Sequence, residues 1–108
     1  MLIVNTTFHV AESCEEAWKK WVMEEYIPDV ISTNLLFNPT LFHLLVENEP
    51  GTNSYALQFE VANLSTLQEW FDHYGVTMQQ SLNNRFNEDV LGFTTLMERL
   101  ETVDTQIL

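Results

Sequence analysis

The sequence predicts an α+β fold in which a four-stranded antiparallel sheet is covered on one face by two helices. Three observations carry this. Hydrophobic periodicity changes along the chain in the order strand, helix, strand, strand, helix, strand. Those six segments fill nearly all 108 residues, so one domain accounts for the chain. A strong turn signal, Glu49-Pro50-Gly51-Thr52-Asn53, joins the two middle strands as a hairpin. This order describes a split βαβ sandwich, and right-handed crossovers then give the strand order four, one, three, two.

The first strand begins at Leu2. Leu2, Val4, Thr6, Phe8 and Val10 form one alternating row, and Ile3, Asn5, Thr7 and His9 form the other. Ser13 followed by Glu16 is a capping box, after which Ala17, Trp18, Trp21, Val22 and Glu25 keep helical spacing. Pro28 interrupts that helix near Tyr26 and opens a short second segment through Ile31.

Asn38-Pro39 marks a turn, residues 40–47 read as strand two, and residues 54–61 as strand three. Ser65 with Gln68 is a second capping box. It opens a helix whose buried stripe is Leu67, Trp70, Phe71, Tyr74, Met78 and Leu82, with Gly75 bending or loosening it. An asparagine-rich stretch closes that helix and residues 90–100 form strand four. The domain is expected over 1–101, with 102–108 as a C-terminal tail.

With both helices on one side, the covered face is expected to hold Val4, Phe8, Phe42, Leu44, Tyr55, Leu57, Phe59, Leu91, Phe93 and Met97. The open face then shows Ile3, Leu41, Leu45, Val90 and Leu96 among polar neighbours. At ~25 cal/mol per Å², a few hundred Å² of such surface gives several kcal/mol of drive toward a cover. A homodimer through the sheet face or a sheet edge follows, with the same patch used on both subunits.

Four basic side chains, Lys19, Lys20, Arg85 and Arg99, stand against sixteen carboxylates for a net charge of −12. Nucleic acid and anionic membranes are therefore not expected as partners, because both are held by clustered Lys and Arg. No apolar run approaches membrane-spanning length and the start lacks a signal-peptide pattern, so a cytoplasmic location is expected. Cys14 is the single cysteine, which excludes an internal disulfide. A helix start lowers a thiol pKa, but Glu12, Glu15 and Glu16 oppose thiolate formation there.

His9, His43 and His73 fall on three elements without ligand spacing, and Gly51, Gly75 and Gly92 are isolated, so neither a metal nor a cofactor is expected. The candidate ligand-binding residues are Asn5, Thr7, His9, His43, Gln58, Glu60 and Thr94, polar groups among apolar neighbours on one sheet face. Tyr26, at the helix break, is placed near the mouth of that site. His9 and His43 suit general acid–base work, and the bland alternative is a pair of hydrogen-bonded interface histidines. Trp18, Trp21 and Trp70 read as core, and Arg85 as a favourable charge near a helix end.

Several segments together carry a resemblance: Asn5-Thr6-Thr7, Glu24-Glu25-Tyr26-Ile27-Pro28-Asp29-Val30, Ser54-Tyr55-Ala56-Leu57-Gln58-Phe59 and Arg85-Phe86. The chain resembles the dimeric α+β barrel superfamily, in which two ferredoxin-like subunits pack sheet against sheet. Within it, the chain is most similar to a small bacterial family defined as a domain of unknown function. Members of that family more often carry histidine where this chain has Tyr26, which argues against proton transfer at that position.

The superfamily spans cofactor-independent oxygenases, haem-degrading enzymes and proteins without known chemistry, so the resemblance implies a fold and a dimer but no single reaction. The reading that follows is a homodimer binding a small, mostly apolar molecule in an intersheet or helix-break pocket. Two alternatives stand beside it. One is a structural or regulatory dimer with no ligand; the other is an oxygenase-like or isomerase-like enzyme.

Overall fold

In a computed structural model, which describes residues 1–45 and 49–100, the elements follow the expected βαββαβ order. Strands β1 (Leu2–Ala11) and β3 (Thr52–Val61) are central, and β2 (Phe37–Leu44) and β4 (Val90–Glu98) are the edges. The order is β2-β3-β1-β4 with every pair antiparallel, which is the expected order of strands. The proposed tail at 102–108 and the end of strand two at 46–47 lie outside the described residues.

Each crossover is one helical run with a wide turn inside it. Helices α1 (Glu15–Trp21) and α2 (Ile27–Ser32) join through the π-helical turn Val22–Tyr26. Helices α3 (Leu64–Trp70) and α4 (Val76–Phe86) join through a second π turn, Phe71–Gly75. In the first run the N–H of Ile27 reaches back five residues to the carbonyl of Val22. Pro28 follows directly; it has no N–H to offer and its ring crowds the preceding turn. Widening the turn relieves that conflict, so the helix continues where the sequence predicts an interruption.

The extra residue also sets the phase. Val30 lies twelve residues beyond Trp18, as Leu82 does beyond Trp70. At about 100° per residue, that separation leaves the later residue roughly 120° around a regular helix. Absorbing one residue in the wide turn returns it to roughly 20°. All four side chains are buried as a result, while Phe71 and Tyr74, predicted to face the core, are 38% and 39% exposed.

Helices and sheet meet through aromatic contacts. The Trp18 ring lies 5.2 Å from Phe8 and 4.9 Å from Tyr55, centroid to centroid, and the Trp18 side chain is fully buried. Trp21 packs at 5.7 Å against Phe86 of α4, so the two helical runs are joined by the same cluster. All three tryptophans belong to the core.

Both predicted capping boxes are replaced by other devices. Ser13 lies in a 3₁₀ turn (Glu12–Cys14), and α1 begins after Cys14 with no side-chain cap. Helix α3 is capped by Asn63, whose Oδ1 accepts from the N–H of Thr66 at 2.9 Å and from the Ser65 hydroxyl at 2.8 Å. Asn38 does not end a turn before strand two. It has φ 52° at a bulge inside β2, between Phe37 and Thr40.

The faces of both edge strands are the reverse of those expected. The register places Val90, Gly92, Thr94 and Leu96 of β4 beside Val10, Phe8, Thr6 and Val4 on the helix side, and sends Leu91, Phe93 and Met97 to the open side. Gly92 is consistent with this arrangement: a Cβ there would stand 3.0 Å from the Phe8 ring, a tight contact that glycine avoids. On β2, Leu41 and His43 pair with Leu57 and Tyr55 on the helix side, while Phe42 and Leu44 face outward with Ala56 and Ser54. A one-residue change of register exchanges every side chain between faces, and two rows of similar hydrophobicity do not signal which way round they lie.

Helix α4 ends in a left-handed residue: Asn87 has φ 51° and ψ −131°. Glycine adopts that conformation without steric cost, whereas any side chain strains it. Asn87→Gly is expected to raise stability by about 0.5–1 kcal/mol, or roughly 2–8 °C in Tm. Thermal unfolding of the two proteins, read by circular dichroism, checks this; Asn87→Ala should lower Tm instead.

Candidate functional site

Pairing of β1 with β3 brings five of the predicted polar residues onto the open face. Asn5 lies opposite Gln58, Ile3 opposite Glu60, Thr7 opposite Ala56, and His9 opposite Ser54. Four of their side chains are engaged, one pair with each other and two with neighbouring residues. His9 Nδ1 and the Ser54 hydroxyl are 2.8 Å apart, and Asn5 Nδ2 donates to Thr7 Oγ1 at 3.2 Å. Glu60 accepts from Asn38 and pairs with Arg99 at 3.3 Å, which gives this carboxylate two structural partners at the sheet edge. Asn5 Oδ1 is buried without a hydrogen-bond partner.

Thr94 and His43 do not join that row. Both fall on the helix side through the reversed faces of β4 and β2. His43 stacks on Tyr55 at 4.9 Å with 20° between the ring planes, so it does not share a face with His9. Thr94 lines a cavity of about 70 Å³ between the sheet and the two helical runs.

The floor of that cavity is Val4, Thr6, Phe8, Phe59, Gly92 and Thr94. Its roof comes from both π turns and their flanks: Trp21 and Tyr26 from the first run, and Trp70, Phe71, Gly75 and Met78 from the second. Gly75 allows the close approach at this point, because a Cβ there would stand 2.8 Å from the Phe71 ring and force that side chain to shift. The polar groups are few. Thr6 and Thr94 hydroxyls lie 3.1 Å apart on the floor, and the Gln79 side chain lies at the wall. The Trp70 indole N–H is buried with no hydrogen-bond partner, although Trp70 is only 5% exposed.

Tyr26 is the one lining residue with a titratable side chain. Burial pushes its hydroxyl up to about 12, so it stays protonated near neutrality. Outside the cavity, Tyr26, Trp21 and Met78 also border an open cleft of about 480 Å³ together with Glu25, Asp29, Ser81, Asn84 and Arg85. Arg85 pairs with Glu25 at 3.6 Å across the two helical runs, a contact more specific than the favourable helix-end charge expected of it.

Sequence reasoning placed Tyr26 near a pocket mouth but assigned Trp70, Met78 and Trp21 to the core alone. Gly75 and Pro28 were the available signal, since they mark irregular turns at the middle of both helical runs. Cys14 has its thiol pKa raised by burial first and by the Asp89 carboxylate second, which disfavours a reactive thiolate. Among the described residues, no group of three or more His, Cys, Asp or Glu side chains converges for a metal, and no helix is long and apolar enough to cross a membrane.

Residues 1–100 match the family described as "Domain of unknown function (DUF4286)". The chain belongs to the DUF4286 family. None of the curated proteins matches this DUF4286 chain. Solved structures share its fold at low identity. A candidate antibiotic biosynthesis monooxygenase from Deinococcus radiodurans is 16% identical, with TM-score 0.67 over 96% of this chain and 97% of that one. HapK from Hahella chejuensis is 11% identical, with TM-score 0.70 over 97% and 98%. A dimeric ferredoxin-like protein from an uncultured marine organism is 12% identical, with TM-score 0.61 over 94% and 97%. Together they establish the DUF4286 chain as a ferredoxin-like α+β sandwich.

A polar hub holds the other end of the helix layer. Glu15 accepts from Asn53 Nδ2 at 2.5 Å and from the Tyr55 hydroxyl at 2.8 Å, and pairs with Lys19 at 3.4 Å. The hydrogen bonds from Asn53 and Tyr55 hold its carboxyl below the usual glutamate value. A lowered folded-state pKa means the stabilisation is complete above the unfolded value, roughly pH 4.3, and is lost as pH falls through the folded one. Glu15→Gln is therefore expected to cost about 1–3 kcal/mol at pH 7. Urea unfolding from pH 7 to pH 3 checks it, with the gap between the two proteins closing below about pH 4.

Proposed function

We propose that this chain is a homodimer formed through the open sheet face, each subunit binding a small, mostly apolar molecule in the cavity at its two π turns. The observation that carries the ligand is the cavity itself, an aromatic-walled space lined by Trp70; the indole N–H groups of Trp70 and of Trp18 are both buried without a partner, and of the two residues only Trp70 lines the cavity. An unpaired buried donor costs about 1–3 kcal/mol, and an acceptor on a bound molecule would remove that cost. Irregular π turns in both roof elements fit a binding role, since such turns concentrate at functional sites.

The dimer rests on the open face. Phe37, Phe42, Leu91, Phe93 and Met97 are 37–59% exposed there, replacing most of the apolar patch the sequence suggested. Glu60 is the one carboxylate on that face among the described strand residues, and Arg99 pairs with it. Among the described residues the other strand carboxylate, Glu98, lies on the helix side, so a second copy meets an apolar surface of low charge. A marine neighbour of the same fold is dimeric by description, which supports this arrangement. The buried Asn5 Oδ1 acceptor would gain donors from the facing subunit.

The likeness to a candidate monooxygenase raises an enzymatic reading. Against it stands the cavity's chemistry: Tyr26, held protonated, is the only titratable lining group, so a substrate there meets no base for proton abstraction. Binding without chemistry fits this lining better.

Two measurements test the proposal. Light scattering at micromolar concentration is expected to give twice the 12.6 kDa chain mass, and Phe93→Glu should give the monomer while keeping its helical signal. A parent protein that stays at the monomer mass removes the dimer. For the cavity, ethylbenzene is expected to raise Tm, and Thr94→Phe, which fills the space, should abolish that shift. An equal shift in both proteins, or none in the parent, overturns the pocket.

A further inference from the structure

We propose that the ligand of this cavity is a neutral single-ring molecule carrying a hydrogen-bond acceptor, held by the Trp70 indole N–H and reached from the outer cleft between Tyr26 and Met78. The inference rests on the pocket reading above and names the class of molecule that pocket takes.

The donor set decides the polarity. An indole N–H donates and cannot accept, and Trp70 Nε1 is buried without a partner. The Tyr26 hydroxyl, kept protonated, is a second group able to donate. Thr6 and Thr94 already lie within hydrogen-bond distance of each other. A ligand matching this lining therefore brings an acceptor such as a carbonyl or ether oxygen.

The absence of charge decides the ionic state. No Asp, Glu, Lys, Arg or His is among the residues lining the cavity. Transferring an ion into such a site without a partner costs far more than a hydrogen bond returns. The walls decide the shape, since Phe8, Trp21, Tyr26, Phe59 and Trp70 offer ring faces and edges for a flat molecule.

The size decides the route. At about 70 Å³ the cavity is roughly half the ~150 Å³ of an engineered cavity that takes benzene. A ring enters when the side chains shared with the outer cleft move. Trp21, Tyr26 and Met78 are those shared side chains. Met78 is an unbranched thioether that repacks at low cost, and Tyr26 sits at the end of a π turn. The cleft beyond them, about 480 Å³, is open to solvent and is the approach.

Three probes of similar shape test the class: acetophenone, which adds an acceptor; ethylbenzene, which lacks one; and benzoate, which is charged. Acetophenone is expected to bind about five- to tenfold more tightly than ethylbenzene, and benzoate at least tenfold more weakly than either. Without a donor the order would reverse, because the carbonyl loses water on entering. In ¹H–¹⁵N spectra, acetophenone should shift the Trp70 indole resonance and leave that of Trp18 in place. Trp70→Phe should bring acetophenone and ethylbenzene to parity, and the spectra of the parent protein stand independently of how that variant folds. Ethylbenzene binding as tightly as acetophenone, benzoate binding best, or an unmoved Trp70 resonance on saturation overturns the ligand class while leaving the pocket. Failure of both neutral probes to bind removes the pocket as well.

Discussion

The extra residue in each helical run is the constraint on which this structure depends. A regular helix of either sequence would turn its second half away from the sheet, exposing Val30 and Leu82 and leaving a gap over β1. The wide turns restore the phase, and they do so near each other, since Tyr26 of the first and Phe71 and Gly75 of the second line the same cavity. Their cost is an imperfect roof. Five-residue turns are broader than regular ones, and Phe71, Gly75 and Tyr26 meet over Thr6 and Thr94 without filling the space. The feature that lets the core close is thus also the one that leaves it a hollow.

Much of the architecture is legible in the residues. Alternation in β1 and β3 is unequal between rows, so the faces of the central strands follow from Phe8, Leu57 and Phe59 without further information. Helical spacing places Trp18, Trp21 and Trp70, and the element order gives the strand order. Edge strands are another matter. Residues 90–98 carry two rows of comparable hydrophobicity, and the close contact of Phe8 with Gly92, consistent with the observed faces, is a tertiary fact. The same holds for β2, where His43 goes inward because Tyr55 offers its ring. Two residues of the candidate site inherited this ambiguity. Asn5, Thr7, His9, Gln58 and Glu60 share a face as their spacing implies, while His43 and Thr94 were carried to the other side with their strands.

Charge is distributed with the same economy. Of the few basic side chains, Lys19 joins the Glu15 hub, Arg85 ties the two helical runs through Glu25, and Arg99 sits on Glu60. Arg85 bridges elements distant in sequence, Arg99 secures a strand end, and Lys19 pairs within α1 with the carboxylate that holds Asn53 and Tyr55, so these three cations lie where a carboxylate has a structural role. Among the described residues, the remaining carboxylates lie on the helix layer and loops, except Glu98, which pairs with Leu2 on the helix side of the sheet. The long-range repulsion of a chain at −12 is then weakest at the bare side of the sheet.

The bulge at Asn38 has a consequence for the edge of the sheet. An exposed outer strand presents a row of free N–H and C=O groups on which another chain can grow. In β2 that row is broken: the backbone kinks through a left-handed residue, the next position is Pro39 with no N–H, and Asn38 is tied to Glu60 of the neighbouring strand. Among the described residues of this strand, the short stretch from Thr40 to Leu44 remains regular. Strand addition along this edge, the route by which sheet proteins polymerise into fibres, is thereby disfavoured where the bulge breaks the row, and a growing chain would find no continuous template there.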